Sequence, residues 1–245
     1  MPPITPPLVP LPSLPAWFIW QAGVHAVLGD VAVCRRVQLA DDELVIDELR
    51  IPRSSFDRIL VVGGGKATAA MAAGVVTQLN SQVPIEGWIN VPEGTAEALP
   101  VCGIHVCQAR PTGVNEPTEL AVQGTRAILE QVTAASPRDL CLVLLSGGGS
   151  ALLVAPADGV SLADKLAVTR HLAANGAAIT ELNTVRKHLS RIKGDRLRQA
   201  CRAGRLVTLV LSDVIGDPLD MIASGPTTPD TTAPADALAI LGKYD

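Results

Sequence analysis

The sequence predicts an α/β protein with a Rossmann-like, mostly parallel sheet and helices on both faces. The first observation is that three short apolar runs, at residues 59–62, 140–145 and 206–211, have the length and composition of buried parallel strands. The second is that each run ends in a glycine-containing turn, and that helical patterns alternate with the runs. Strand, turn and helix in this order form the repeating unit of open α/β sheets.

The remaining elements follow from hydrophobic periodicity and from helix-breaking residues. Residues 17–33 carry apolar side chains at helical intervals, and a polar stretch at 41–53 leads to the first buried strand, at 58–62. The other expected elements are, in chain order, a helix at 67–79, strands at 85–91 and 103–107, a helix at 119–133, a strand at 140–145, a helix from a capping box at Ser161 and Asp164 to Asn175, a helix from near Thr180 whose apolar face includes Ile192, a short helix at 195–201, a strand at 207–211 and a helix at 235–241.

Composition limits the classes of function. The 245 residues are 48% hydrophobic and carry a net charge of −4, so a sizeable core is expected and no basic surface attracts nucleic acid. Five scattered cysteines, an odd number, favour reduced thiols and a cytoplasmic protein. The proline-rich residues 1–16 lack the charged start of a signal peptide and predict a flexible arm, and no apolar run has the length of a membrane span. Residues 17–245 then form the Rossmann-like domain.

The glycine turns point to anion binding. Open α/β sheets bind ligands at the carboxyl ends of their strands, where backbone N–H groups face the ligand. Lys66 ends the first turn and adds a positive charge, while the turn from Ser146 to Ser150 offers hydroxyls on both sides of bare backbone. The spacing around Gly63 and Gly65 fits neither the dinucleotide fingerprint nor a Walker A motif. The alternatives are a tight structural turn with a solvated lysine and a flexible Ser-Gly linker.

Charged residues further along the chain extend this prediction. Asp213 and Asp217 follow the third strand, where carboxylates can hold Mg²⁺ or accept a substrate proton. Asn183, Arg186 and Lys187 share one face of a predicted helix, and the two cations can neutralise a transferred phosphoryl group. The alternatives are turn formation by the aspartates and a solvated helix face for the cations.

Five motifs together resemble the glycerate kinases of the MOFRL type. They are Gly-Gly-Gly-Lys-Ala at 63–67, Ser-Gly-Gly-Gly-Ser-Ala-Leu-Leu at 146–153, Leu-Asn-Thr-Val-Arg-Lys-His-Leu-Ser-Arg-Ile-Lys-Gly at 182–194, Ser-Asp-Val-Ile-Gly-Asp-Pro at 212–218 and Ile-Ala-Ser-Gly-Pro-Thr at 222–227. The resemblance implies ATP-dependent, Mg²⁺-assisted phosphorylation of D-glycerate, with 2-phosphoglycerate the favoured product. It also implies an active site between a Rossmann-like N-terminal domain and a C-terminal domain, and we expect the latter to be missing from this chain.

The resemblance and the residue patterns together give a candidate site. The expected catalytic residues are Lys66, Arg186 and Asp213, and Asp213 and Asp217 are the expected Mg²⁺ ligands. The residues expected to bind ATP or substrate are Gly63, Gly64, Gly65, Ser146, Gly147, Gly148, Gly149, Ser150, Asn183, Lys187 and Asp217. Two other functions stay open, an NAD(P)H-dependent hydroxypyruvate reductase and a non-catalytic nucleotide-binding fragment, and so does a homodimer.

Two local departures from the family pattern accompany these expectations. Asp195 stands where a second glycine is usual after Gly194, which would put a carboxylate near the presumed phosphate region. Residues 110–116, Arg-Pro-Thr-Gly-Val-Asn-Glu, replace the commoner His-Pro-x-Pro-Asp form.

Overall fold

A five-stranded parallel sheet forms the centre of the protein. The computed structural model describes residues 14–95 and 101–245. The strands are β1 (Val37–Ala40), β2 (Glu43–Ile46), β3 (Leu49–Pro52), β4 (Arg58–Gly64), β5 (Ile85–Pro92), β6 (Ile104–Arg110), β7 (Asp139–Ser146) and β8 (Arg205–Leu211). The helices are α1 (Leu14–Ala26), α2 (Gly29–Arg36), α3 (Thr68–Leu79), α4 (Glu119–Ala134), α5 (Gly149–Leu152), α6 (Leu162–Ala174), α7 (Ile179–His188), α8 (Arg196–Ala200) and α9 (Pro234–Lys243).

The strand order places the turns after β4 and β7 at the middle of the sheet. The order is β6-β5-β4-β7-β8, and all four pairings are parallel. The chain moves outward from β4 to β6 and then returns to lay β7 on the other side of β4. Such a reversal opens a crevice at the carboxyl ends of the two central strands, where open α/β folds bind their ligands.

Alternating side chains of the central strands enter two separate cores. On one face, Ile59 and Val61 of β4 pack with α3 and with the small sheet β1–β3. On the other face, Leu60 and Val62 pack with α4 and α8. Both faces of the sheet are therefore covered, which confirms the Rossmann-like α/β class predicted from the sequence.

The antiparallel sheet β1–β3 was not predicted. Its strands have four residues each and follow one another in sequence; β2 and β3 lie in the polar stretch at 41–53, and β1 lies just before it. Leu44, Ile46 and Ile51 point into the core, while the turns contain aspartates with positive φ, including Asp41 and Asp47. Strands this short show too few alternating positions to stand out from the surrounding loops.

Several element boundaries differ from the prediction. Strand β6 continues to Arg110, three residues beyond the predicted end at Cys107. Helix α7 ends at His188, so Ile192 lies beyond it and belongs to the core against α4. Helix α1 begins at Leu14, inside the range 1–16 expected as a flexible arm, and the remainder of that arm lies outside the described residues.

Apolar helices occur near the start of the described chain. Among the described residues no single helix is long and apolar enough to cross a membrane; residues 15–26 and 29–36 reach that length and composition only when taken together, and a bend of 60° separates them.

Candidate functional site

The turns after β4 and β7 are joined by hydrogen bonds. The backbone N–H of Lys66 donates to the carbonyl of Gly147 (2.9 Å), and the N–H of Ala67 donates to Ser146 Oγ (3.0 Å). On β5, the backbone carbonyl of Asn90 accepts from the N–H of Gly65 (3.2 Å). The two turns predicted to meet at the centre of the sheet therefore form one rigid surface.

The glycines of these turns permit a very close backbone approach. Gly65 has φ +155°, and a Cβ there would overlap Ser146 Oγ and lie 2.8 Å from the Ser146 backbone nitrogen. A Cβ on Gly149 would lie 2.8 Å from the carbonyl oxygen of Gly64, on the neighbouring turn. Any larger residue would separate β4 from β7 at their ends, so these glycines set the width of the crevice.

The third predicted turn reaches the same surface through Asp213. A Cβ on Gly147 would lie 2.6 Å from Asp213 Oδ2, so this carboxylate lies against the turn after β7. Asp217 is exposed, in a positive-φ turn (φ 48°), and no side-chain hydrogen bond or ion pair of the described residues fixes it there. The structure brings Asp213 to the glycine turns, and the contacts of the described residues include none between Asp217 and these turns.

Two cationic side chains converge on Gly148. This residue has φ +81°, and a Cβ there would lie 3.0 Å from Arg110 Nη2 and 3.4 Å from Lys66 Cε. Lys66 is exposed, and within the described residues no carboxylate lies within 4 Å of its amine or of the Arg110 guanidinium. Two positively charged side chains thus lie over the backbone of this turn, and neither has a carboxylate partner in the described part of the chain.

Arg110 is held in place by its own loop. It is only 3% exposed, and burial lowers the pKa of its guanidinium. Nη1 donates to the carbonyl of Val114 and to Asn115 Oδ1 (2.9 Å), whereas Nε is buried with no partner among the described residues. A fixed guanidinium with unused donors beside Lys66 is an arrangement suited to an oxyanion.

The sequence contained the information needed to find Arg110. The rule that ligands gather at strand ends applies to β6 as much as to β4, β7 and β8. Because the predicted strand ends at Cys107, Arg110 enters the prediction only as part of a departure from the family pattern. With β6 extended to Arg110, this residue ends a parallel strand two places from β4.

Ser150 and Asn183 belong to a buried hydrogen-bond network next to the glycine turns. Ser150 Oγ and Ser224 Oγ are 2.8 Å apart, and Ser224 Oγ donates to Asn183 Oδ1 (3.1 Å). Ala223 and Ser224 both have positive φ (52° and 62°), a strained conformation for residues with a side chain. The Lys193 amine donates to the Ser150 carbonyl (2.8 Å) and the Ala223 carbonyl (3.3 Å), which supports this strained turn.

The predicted polar face of α7 is divided by the fold. The Arg186 guanidinium lies near the Ser150 carbonyl (3.4 Å) and is largely buried. Lys187 is buried elsewhere, with its amine 3.6 Å from Asp220 and 3.5 Å from Asp230. Arg186 is therefore next to the glycine turns, whereas the charge of Lys187 is used in an internal ion pair.

Asp195 has a structural explanation. Its φ is 69°, the left-handed conformation that glycine adopts most easily, and this is the position where the resembling family usually has glycine. The buried carboxylate accepts hydrogen bonds from Arg198 Nε (2.7 Å) and Nη2. Its charge is therefore neutralised by Arg198 at the start of α8.

A metal ion would have few protein ligands here. No group of three or more His, Cys, Asp or Glu side chains among the described residues is arranged to hold one. Mg²⁺ commonly binds through one or two carboxylates, with phosphate oxygens and water as its other ligands. Asp213, exposed at the edge of the glycine turns, fits that role. For Asp217, no side-chain contact of the described residues supports the same role.

The chain is similar in sequence to longer proteins that are named as hydroxypyruvate reductases or as glycerate kinases. It is 43% identical over 209 residues to a putative hydroxypyruvate reductase of Agrobacterium vitis, covering 85% of this chain and 46% of that protein. It is 41% identical over 194 residues to the D-glycerate 2-kinase of Thermotoga maritima, covering 79% and 45%. The chain thus spans less than half the length of these curated relatives.

A solved structure shows the same fold. The crystal structure of a glycerate kinase from Thermotoga maritima matches 94% of this chain and 51% of that one, with a TM-score of 0.78 and 37% identity. These matches confirm the resemblance to glycerate kinases that the five motifs indicated. The family model described as "Domain of unknown function (DUF4147)" matches residues 16–245. Because that match covers nearly the whole chain, the protein belongs to the DUF4147 family.

Proposed function

We propose that this chain forms the phosphate-binding half of a glycerate kinase, which transfers the γ-phosphoryl group of ATP to D-glycerate. The observation that carries the proposal is the pair Lys66 and Arg110 over the backbone of Gly148, with no carboxylate within 4 Å among the described residues. This pair lies at the reversal point of a parallel sheet, where nucleotides bind in related folds. Relatives named glycerate kinases support the choice of substrate.

The residues have separate roles in this proposal. Phosphoryl transfer depends mainly on positioning and on neutralising charge on the transferred group. Lys66 is exposed and would bind the transferred phosphoryl group, whereas Arg110 is buried and would hold an oxyanion in one place. At about 4 Å and an effective dielectric constant near 20, each cation contributes about 4 kcal/mol of Coulomb energy toward a unit charge. The backbone N–H groups of the turn supply further donors.

Asp213 can serve the metal or the acceptor hydroxyl. With Mg²⁺ bound, the metal would neutralise phosphate oxygens, and Asp213 is the residue placed to hold it. Without a direct metal contact, the same carboxylate can accept the proton of the glycerate hydroxyl. The Arg186 guanidinium lies next to the Ser150 carbonyl, two residues after Gly148, where it can stabilise the negative charge of a bound phosphate group.

The product and the remaining groups are also proposals. A relative named D-glycerate 2-kinase favours phosphorylation at the 2-hydroxyl, which gives 2-phosphoglycerate. Because the relatives are about twice as long as the stretch they share with this chain, we propose that the full reaction also uses groups outside these 245 residues. On its own the chain should bind Mg²⁺–ATP weakly and turn over slowly.

A hydroxypyruvate reductase is the second candidate, because relatives carry that name. The glycine turn after β4 argues against it: its glycine spacing does not match the dinucleotide fingerprint, and a lysine occupies the turn.

Two parallel assays separate the candidates. One measures ADP release with ATP, Mg²⁺ and D-glycerate, and the other measures NADH oxidation with hydroxypyruvate. The proposal predicts glycerate-dependent ADP release that is lost in Lys66→Met and kept in Lys243→Met, an exposed lysine distant in sequence on α9. NADH oxidation that depends on hydroxypyruvate, without ADP release, would overturn it.

A further inference from the structure

A second concentration of positive charge surrounds a small cavity with an exposed rim. The cavity has a volume of about 120 Å³ and lies between α5, α6 and α7. Its lining includes Ser150 but none of Lys66, Arg110 or Asp213. Four cationic side chains line it: Lys165, Arg186, Lys193 and the more exposed Arg170. Of these, the proposed kinase site uses only Arg186.

Lys165 and Lys193 are buried, Arg186 is partly buried, and none of the three has a carboxylate partner among the described residues. Lys165 and Lys193 are 7% and 1% exposed, and Arg186 is largely covered. Their contacts are to neutral oxygens: the Lys165 amine donates to the Leu189 carbonyl (2.6 Å), and Lys193 donates to the carbonyl and the hydroxyl of Ser150 (2.8 and 3.1 Å). Among the described residues, no carboxylate lies within 4 Å of any of the three.

The one acidic side chain in the lining is already engaged. Glu116 accepts a hydrogen bond from Arg170 Nε (2.7 Å), and both side chains are about half exposed. This ion pair therefore forms part of the outer rim, while Lys193 and Ser150 form the buried floor. The interior of the cavity keeps its excess positive charge.

Such a cluster is unstable without an anion. Burial lowers the pKa of Lys165, to about 8, and that of Lys193, and the charge of Arg186 lowers both further. Arginine does not lose its proton in proteins, so at least one charge stays in the cluster at neutral pH. Buried charges are normally paired with an opposite charge, and no carboxylate in the described ranges 14–95 and 101–245 lies close enough to pair with these.

We propose that this cavity binds a phosphate group. Its volume corresponds to about four water molecules, enough for one tetrahedral oxyanion but not for a nucleotide. The guanidinium of Arg186 offers a planar pair of donors, and the Lys165 amine keeps one N–H beyond its two bonds to backbone carbonyls. The three N–H groups of Lys193 are already engaged, so this residue contributes positive charge rather than a donor. This cavity shares Arg186 and Ser150 with the proposed kinase site, whereas Lys165 and Lys193 have no part in the latter.

The first test measures thermal unfolding in a Lys66→Met background, where the glycine turns have lost their mobile cation. Inorganic phosphate is titrated at constant ionic strength with chloride as the balancing anion. The melting temperature should rise with the logarithm of phosphate concentration, as ligand linkage requires. Adding Lys165→Met should weaken the apparent phosphate affinity at least tenfold. The proposal would be overturned if the melting temperature did not change with phosphate concentration, or if Lys165→Met left the phosphate dependence of the melting temperature unchanged.

The second test supplies the missing anion from the chain itself, so it does not depend on the Lys165 variant folding. Thr169 lines the cavity on α6, four residues after Lys165, so a side chain at this position lies one helical turn away. Thr169→Glu should raise the melting temperature in phosphate-free buffer by about 2–4 °C relative to Thr169→Gln, and should abolish the phosphate response. A lower melting temperature for the glutamate variant, with the phosphate response intact, would contradict the proposal.

Glycerol phosphate, titrated in the same way, distinguishes free phosphate from a phosphate group on a larger molecule. If the cavity binds only free phosphate, the apparent affinity for glycerol phosphate should be at least tenfold weaker than that for inorganic phosphate. Equal stabilisation by the two compounds, lost with Lys165→Met, would assign the cavity to the phosphate group of a larger ligand.

Discussion

Replacing Gly65 by alanine tests whether close contact between the β4 and β7 turns forms the site. The Cβ would lie 2.8 Å from both the backbone nitrogen and the carbonyl oxygen of Ser146, so rotating a side chain cannot relieve the overlap. A φ of +155° costs a residue with a side chain about 1–3 kcal/mol. Displacing Ser146 Oγ from the Ala67 N–H costs about 1 kcal/mol more. The unfolding free energy should therefore fall by about 2–4 kcal/mol.

Urea denaturation followed by circular dichroism measures this loss. Ser146→Ala alone should cost about 1 kcal/mol, and adding it to Gly65→Ala should recover only part of the damage, because the backbone overlap remains. Gly242→Ala is the matched control: it lies in α9 with nothing within 4 Å of its Cβ position, so it should be neutral or slightly stabilising. An unfolding free energy for Gly65→Ala within about 0.5 kcal/mol of the wild type would refute the described contact.

Three further predictions follow from other parts of the structure. Arg58→Gln leaves the carboxylate of Asp139, which is 4% exposed, without its partner (2.9 Å) and should cost about 2–3 kcal/mol. Because Arg58 lowers the pKa of Asp139, urea denaturation should show this difference shrinking as the pH falls below about 4. Burial lowers the pKa of Lys165 from 10.5 to about 8, so the folded protein loses the Lys165 proton at a lower pH than the unfolded chain does. The unfolding free energy of the wild type, relative to that of Lys165→Met, should therefore rise by about 3 kcal/mol between pH 8 and 10.5 in buffer without phosphate. A difference that does not change with pH would contradict this pKa. Asp213→Asn should weaken Mg²⁺-dependent ATP binding in calorimetry while leaving the unfolding free energy unchanged, since the side chain is exposed; unaltered ATP binding would remove Asp213 from the metal role.

The position of the site was predictable because strand ends and glycine turns are local features. The apolar runs before Gly63, Ser146 and Ser212 identify parallel strands, and parallel strands bring their carboxyl ends to one edge. The structure brings these turns together, with Lys66 bonded to Gly147 and with Asp213 against the same glycine. The roles of these residues in binding and catalysis remain predictions.

The charged residues of the interior could not be predicted in the same way. The sequence placed Lys187 on a polar helix face, whereas tertiary packing buries it between Asp220 and Asp230. Nothing in the local sequence pattern marks Lys165 or Lys193 as buried, and a lysine is normally exposed. Which lysines become buried depends on how α6, α7 and the turn at Ser224 pack together, and local periodicity carries no information about that.

Asp195 shows how backbone geometry changed one interpretation. From the sequence, an aspartate in place of glycine suggested an acidic group near bound phosphate. The structure shows that the position requires a left-handed conformation and that Arg198 binds the carboxylate. The substitution therefore preserves the turn and adds a local ion pair, and gives no reason to expect weaker phosphate binding.

We propose that Lys66 and Arg110, above the glycine turns, bind the phosphates of a nucleotide. Isothermal titration of Mg²⁺–ATP into the wild type, Lys66→Met and Lys243→Met is the decisive experiment. The dissociation constant should be at least tenfold larger for Lys66→Met and unchanged for Lys243→Met. Equal affinity in all three proteins would show that nucleotide phosphates do not bind at these turns.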